Sequence, residues 1–148
     1  MDTIDTIMKS IVNLRVHIAP VGFEVDRIVI PAVSQKADKV WLIVHDNVSE
    51  DLAVKYRENV EKELEKNGIK VEIAYANRLR LSPIIKTIAD IIHKERKNDI
   101  YVNVASGSKI HAIGCMMACM LFDDREKIHP FYAQAEKYPE YDGTLQQT

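Results

Sequence analysis

Asn103-Val104-Ala105-Ser106-Gly107-Ser108-Lys109 joins a short apolar strand, Ile100 to Val104, to a helix that is apolar almost all round, Ile110 to Phe122. The small side chains of this turn leave backbone N–H groups unshielded, and the helix N-terminus adds the positive end of its dipole. Ser106 and Ser108 bring hydroxyls, and Lys109 brings a cationic head. The combination suits an anion, a phosphate above all. In open α/β sheets ligands sit beyond the carboxyl ends of the strands. The stretch therefore predicts both a strand–helix unit and the place of its ligand.

The same order recurs on either side. Leu14 to Ala19 reads as strand one. Phe23 to Ser34 reads as helix one, with Phe23, Ile28 and Ile30 inward and Pro31 weakening the last turn. Lys39 to His45 is a nearly continuous apolar run, as in a parallel strand covered on both faces. Asn47 with Glu50 resembles a capping box, and Asp51 adds first-turn charge to helix two. Leu52, Tyr56, Val60 and Leu64 repeat every fourth residue on its inner face, and Gly68 supplies a left-handed stop. Ile69 to Tyr75 is strand three. Ser82 caps and Pro83 opens helix three, whose inner face is Ile84, Ile85, Ile88, Ile91 and Ile92. His129 to Ala135 is strand five.

Five strands alternating with four helices predict a three-layer α/β Rossmann-like sandwich around a mostly parallel sheet. Strand order 3-2-1-4-5 places the switch point between strands one and four. There the loop Pro20-Val21-Gly22-Phe23-Glu24 meets the loop Ala105 to Lys109. The order 2-1-3-4-5 is the alternative and would separate them. Residues 1–12 read as an N-terminal extension, 13–136 as one ligand-binding domain and 137–148 as a polar tail.

The chain has 148 residues, 47% apolar and 28% charged, with net charge −2. This is an ordinary balance for one globular domain. Nothing in it favours duplex DNA or an anionic membrane. No apolar run is long enough to cross a bilayer, and the start is too polar for a signal peptide. The only cysteines, Cys115 and Cys119, lie one helical turn apart, a geometry that disfavours a disulfide. The cytoplasm is the expected compartment.

Each motif has a plain reading beside the functional one. The G-x-x-x-x-G-K and G-x-G-x-x-G spacings are absent. The Ser-Gly-Ser-Lys turn is then either a phosphate cradle or a tight turn with Ser108 as helix cap and Lys109 in solvent. Glu24 either accepts hydrogen bonds from a ribose or an amine, or complements the dipole of helix one. His111, Cys115 and Cys119, spaced by four, form a buried small-residue face rather than a metal site, with His111 near the ligand end. No metal and no cofactor is expected. His17 reads as a satisfied core histidine. His45 ends strand two near the ligand edge. Helix four carries no charge from Ile110 to Phe122, so its outer side needs a cover. The same helix of a second subunit is the simplest, with Ala112, Gly114, Ala118 and the cysteines allowing close approach. No G-x-S-x-G elbow, H-E-x-x-H or triad signals catalysis.

The stretches Arg15 to Glu24 and Tyr101 to Lys109 together resemble the CRISPR-associated Rossmann-fold (CARF) family. More closely, the chain resembles the CARF-like N-terminal domain of archaeal helix-turn-helix transcriptional regulators. The family's second loop typically reads Asn-x-Thr-Gly-Gly-Thr-Lys. Asn103, Ser106, Gly107, Ser108 and Lys109 occupy that pattern, with Ser for Thr and one Gly for the pair. The resemblance spans Leu14 to Ala135. The family's fold agrees with the order 3-2-1-4-5, and the resemblance implies a homodimer. It also implies a cyclic oligoadenylate bound across the two-fold axis by Pro20, Val21, Gly22, Phe23, Glu24 and the five residues just named. Relatives carry winged helices or nucleases as effectors, and a minority cleave the cyclic ligand. No helix-turn-helix follows here, so the expectation is an isolated sensor domain or a piece of a longer protein, without duplex DNA binding of its own. Three readings follow: a dimeric nucleotide sensor serving transcription or CRISPR defence, a metal-independent ring nuclease, and a domain for another phosphorylated metabolite.

Overall fold

Side chains alternate between the faces of a strand, and helices cover both faces of the sheet here. The computed structural model describes residues 13–47, 49, 51–122 and 127–133. The elements are β1 (Arg15–Pro20), α1 (Asp26–Ser34), β2 (Lys39–Val44), α2 (Val54–Lys66), β3 (Lys70–Tyr75), α3 (Leu81–Lys94), β4 (Asp99–Asn103), α4 (Lys109–Met120) and β5 (Ile128–Phe131). All four strand pairings are parallel and the order is β3-β2-β1-β4-β5. The fold is the α/β Rossmann-like sandwich expected, with the switch point between β1 and β4. The extension expected over 1–12 and the tail over 137–148 lie outside the described residues.

Two cores flank the sheet. Ile18, Ile43, Ile100 and Val102 pack on Ile84, Ile88 and Ile92 of α3 and on Cys115 and Ala118 of α4. On the other face Ala19, Val40, Leu42 and Val44 pack on Ile28 and Ala32 of α1 and on Val60 and Leu64 of α2. Gly68 takes φ +75° after α2, as its stop signal predicts.

Four details differ from the sequence reading. Helix α1 begins at Asp26, so Phe23 lies in the preceding loop, 58% exposed, and Ile30 turns outward. Helix α2 begins at Val54, so Leu52 precedes it, and Leu52 and Tyr56 are exposed while Val60 and Leu64 are buried. The four-residue period carries burial only from Val60 onward; Tyr56, already inside the helix, sets its ring against Phe23 instead. Glu50 lies outside the described residues; Asp51 Oδ1 accepts the Ala53 N–H at 2.9 Å. In α3, Arg80 is the N-cap, so Ser82 and Pro83 fall in the first turn, where proline's missing N–H has no intrahelical partner to lose.

The fourth difference concerns α4. Gly114, Cys115, Ala118 and Cys119 face inward. A Cβ on Gly114 would lie 2.5 Å from Ile84 Cγ2, so this glycine lets α4 approach α3. Burial pushes the thiols of Cys115 and Cys119 up, to about 12 and about 11, and keeps them neutral. The outer side carries large residues instead: Ile113, Met116, Met117, Met120 and Leu121 are exposed.

Candidate functional site

The order β2-β1-β4 brings the two small-residue loops together at the carboxyl edge of the sheet. They meet backbone to backbone. A Cβ on Gly22 would stand 3.0 Å from Gly107 Cα. Gly107 itself takes φ +78°, a region that favours glycine, and a Cβ there would stand 2.7 Å from His111 Nδ1 and 2.8 Å from Pro20 Cβ.

Asn103, buried, organises the second loop from beneath. Its Nδ2 donates to Arg27 O at 2.8 Å, tying the loop to α1. Its Oδ1 accepts from Ala105 N (2.9 Å) and Ser106 N (3.0 Å). Ser108 N donates to His111 Nδ1 at 3.0 Å, which caps α4 from its own first turn. Three N–H groups of the turn are thus used within it. The Ser108 side chain in turn caps the His111 N–H, and the N–H groups of Lys109 and Ile110 have no intrahelical acceptor. Ser106 Oγ is buried and meets no hydrogen-bond partner among the described residues.

A pocket of about 150 Å³ opens beside the loop contact. Gly22, Phe23, His45, Arg78, Ser108 and His111 are among the residues that line it. His111 is buried, and its pKa is lowered to about 4, first by burial and then by the nearby Arg78 and His45. The ring is neutral at physiological pH. Because Nδ1 accepts the Ser108 N–H, the single ring proton sits on Nε2. The ring can donate a hydrogen bond but holds no base. His45, at the end of β2, accepts the Arg78 N–H on Nδ1 at 3.1 Å and so fixes the loop after β3.

Of the residues singled out in the sequence, Val21, Gly22, Phe23, Gly107 and Ser108 line the pocket. Pro20 is buried against Gly107, and Asn103 and Ser106 lie buried under the turn. Glu24, exposed, pairs with Arg27 one turn on, outside the pocket lining. Lys109 is exposed at the first position of α4, also outside that lining. Arg78 escaped the sequence reading. Its signal is slight: one basic residue among several, just past the carboxyl end of a parallel strand. His17 is buried as expected, against the rings of Tyr101 and Phe131, but it is not satisfied. Its Nε2 meets no hydrogen-bond partner among the described residues.

Residues 15–138 match the family described as HFX_2341_N-like, N-terminal. The chain belongs to this family. The HFX_2341_N-like domain is 37% identical over 128 residues to the uncharacterized protein MJ1513 of Methanocaldococcus jannaschii, covering 82% of this chain and 38% of that protein. The chain therefore spans less than half the length of that relative. Among solved structures, the domain is similar to Can2 from Sulfobacillus thermosulfidooxidans in complex with cyclic tetra-adenylate. There the TM-score is 0.67 at 12% identity, over 81% of this chain and 32% of that one. It is also similar to Enterococcus italicus Csm6 bound to cyclic hexa-2′-fluoro-hexa-dAMP, with a TM-score of 0.65 at 11% identity, over 88% of this chain and 36% of that one. At such identities the likeness is one of fold. The resemblance to the CRISPR-associated Rossmann-fold family holds at that level. Among the described residues no helix is long and apolar enough to cross a membrane.

Proposed function

We propose that this domain is a dimeric sensor that binds a cyclic oligoadenylate at its two-fold axis and regulates an attached or associated effector, in transcription or in CRISPR defence. The observation that carries the reading is the backbone contact of Gly22 with Gly107. It sets two ligand loops side by side over a pocket, with Lys109 and the α4 N-terminus next to them. Two relatives of the same fold were solved with cyclic adenylates bound. The exposed Ile113, Met116, Met117 and Met120 offer an apolar face for a second copy. Packing there would bring the two α4 N-termini, and so two pockets, near one axis.

The site supports binding over cleavage. A phosphodiesterase working through a ribose 2′-hydroxyl gains from a base near that group. The two buried histidines of the pocket, His111 and His45, accept the Ser108 and Arg78 N–H groups on their Nδ1 lone pairs. Purified protein incubated with cyclic tri-, tetra- and hexa-adenylate, followed by calorimetry and chromatography of the products, tests the reading. Binding of one ring per dimer without turnover is expected. Linear products would establish a ring nuclease instead. Absence of binding to all three rings would leave a domain for another phosphorylated metabolite.

A further inference from the structure

Arg78 brings a cation to the pocket lining. Its N–H is fixed by His45, it lines the pocket with His111, and its Nε is buried with no acceptor among the described residues. A buried donor without a partner is costly, more so when charged. Asp51 lines the same pocket, but its Oδ1 accepts the Ala53 N–H and no ion pair joins it to Arg78. Asp46 lies 3.5 Å from His45 Nδ1 and is exposed. Arg78 and His111 thus bring a cation and a neutral N–H donor to the lining of one small space. That space, about 150 Å³, is of the size that takes a single aromatic ring. A phosphate group is small enough to enter it. At the mouth stands Phe23, 58% exposed, with its ring braced edge-on by Tyr56 at 5.4 Å and 85°. An exposed, braced aromatic ring beside a cationic pocket is a stacking surface for a base.

We propose that each subunit holds one complete nucleotide of its ligand: the phosphate on Arg78 and His111, the adjoining base on Phe23. This rests on the nucleotide reading above and adds to it a grip that lies within one subunit, on the β2–β3 side of the loops. Arginine's planar fork suits a phosphate bidentately, and a neutral histidine adds a donor without adding a base.

The test compares adenosine 5′-monophosphate with adenosine by calorimetry on the wild-type protein, Arg78→Gln and Phe23→Ala. The wild type should bind the monophosphate once per subunit, at least about tenfold more tightly than adenosine, as a charge-assisted phosphate contact requires. Arg78→Gln should remove that difference and leave adenosine binding unchanged. Phe23→Ala should weaken both ligands by a similar factor. Equal binding of the two ligands by the wild type, or no monophosphate binding at millimolar concentration, overturns the proposal without any variant having to fold. So does full monophosphate affinity in a folded Arg78→Gln. Cyclic tetra-adenylate in parallel separates the two readings. If the ring binds tightly but indifferently to Arg78, the sensor stands and the subsite falls. If only the monophosphate binds, through Arg78, the subsite stands and the cyclic ligand falls.

Discussion

Lys109 occupies the first position of α4. A cation there faces the positive end of the helix dipole, an arrangement that costs about 0.3–1 kcal/mol unless an anion lies between. Lys109→Ala should therefore leave the melting temperature unchanged or slightly raised. The same change should weaken cyclic tetra-adenylate binding by about tenfold or more, the worth of one charge-assisted contact. Calorimetry and a melting curve on one sample read both, and unchanged affinity in a folded variant removes Lys109 from the site. His17 gives a different signature. Burial, helped by the charge of Arg15, lowers its pKa from 6.5 to about 4. Below pH 6.5 the unfolded chain takes up a proton that the folded one refuses until about pH 4. Stability is whole above 6.5 and falls as the pH drops through that window, by up to about 3 kcal/mol for this group. His111 adds a parallel loss. His17→Phe keeps an aromatic ring against Tyr101 and Phe131 and removes the unpartnered nitrogen. Denaturant melts at pH 7 and pH 4.5 should show no loss at the first and a smaller acid loss than wild type. An unchanged acid loss would mean that His17 titrates normally.

At the scale of elements, α4 is sided by size rather than polarity: small residues against α3 and the sheet, methionines outward. Gly114→Ala tests the inner side. The new methyl would meet Ile84 Cγ2 at 2.5 Å. Overpacking of this kind costs about 1–3 kcal/mol, against about 1 kcal/mol gained in helix propensity. Urea unfolding should show a net loss. The penalty of Ile84→Ala should be smaller in the Gly114→Ala background than alone, because the added methyl fills part of the space vacated. Additive losses would show that the two side chains do not press on each other.

The scale of the whole molecule is where the outer side of α4 matters. Met117→Arg puts a charge on an exposed apolar face. It should convert a sedimenting dimer to a monomer with unchanged circular dichroism and weaken cyclic tetra-adenylate binding in step. Gly114→Arg, by contrast, should unfold the domain. A wild-type protein that stays monomeric at tens of micromolar would falsify the two-fold model and leave each subunit with its own pocket alone.

Periodicity and punctuation alone determined much of this protein. Apolar runs marked five strands, the spacing of isoleucines marked α3, and Gly68 marked the end of α2, because local propensity and burial agree there. Two strand orders fit right-handed crossovers, and the structure has 3-2-1-4-5, which makes Gly22 and Gly107 neighbours. Tertiary structure alone decided the rest. Leu52 and Phe23 continue an apolar pattern but sit before their helices, so only the start of α1 and α2 could place them outside the core. The side of Gly114 depended on the nearness of α3, which no single helix records. Arg78 joined the pocket because β3 ends beside β2, where His45 holds its backbone. A site assembled from the ends of four strands is a property of their order, and the chemistry of each residue is visible in the chain long before its neighbours are.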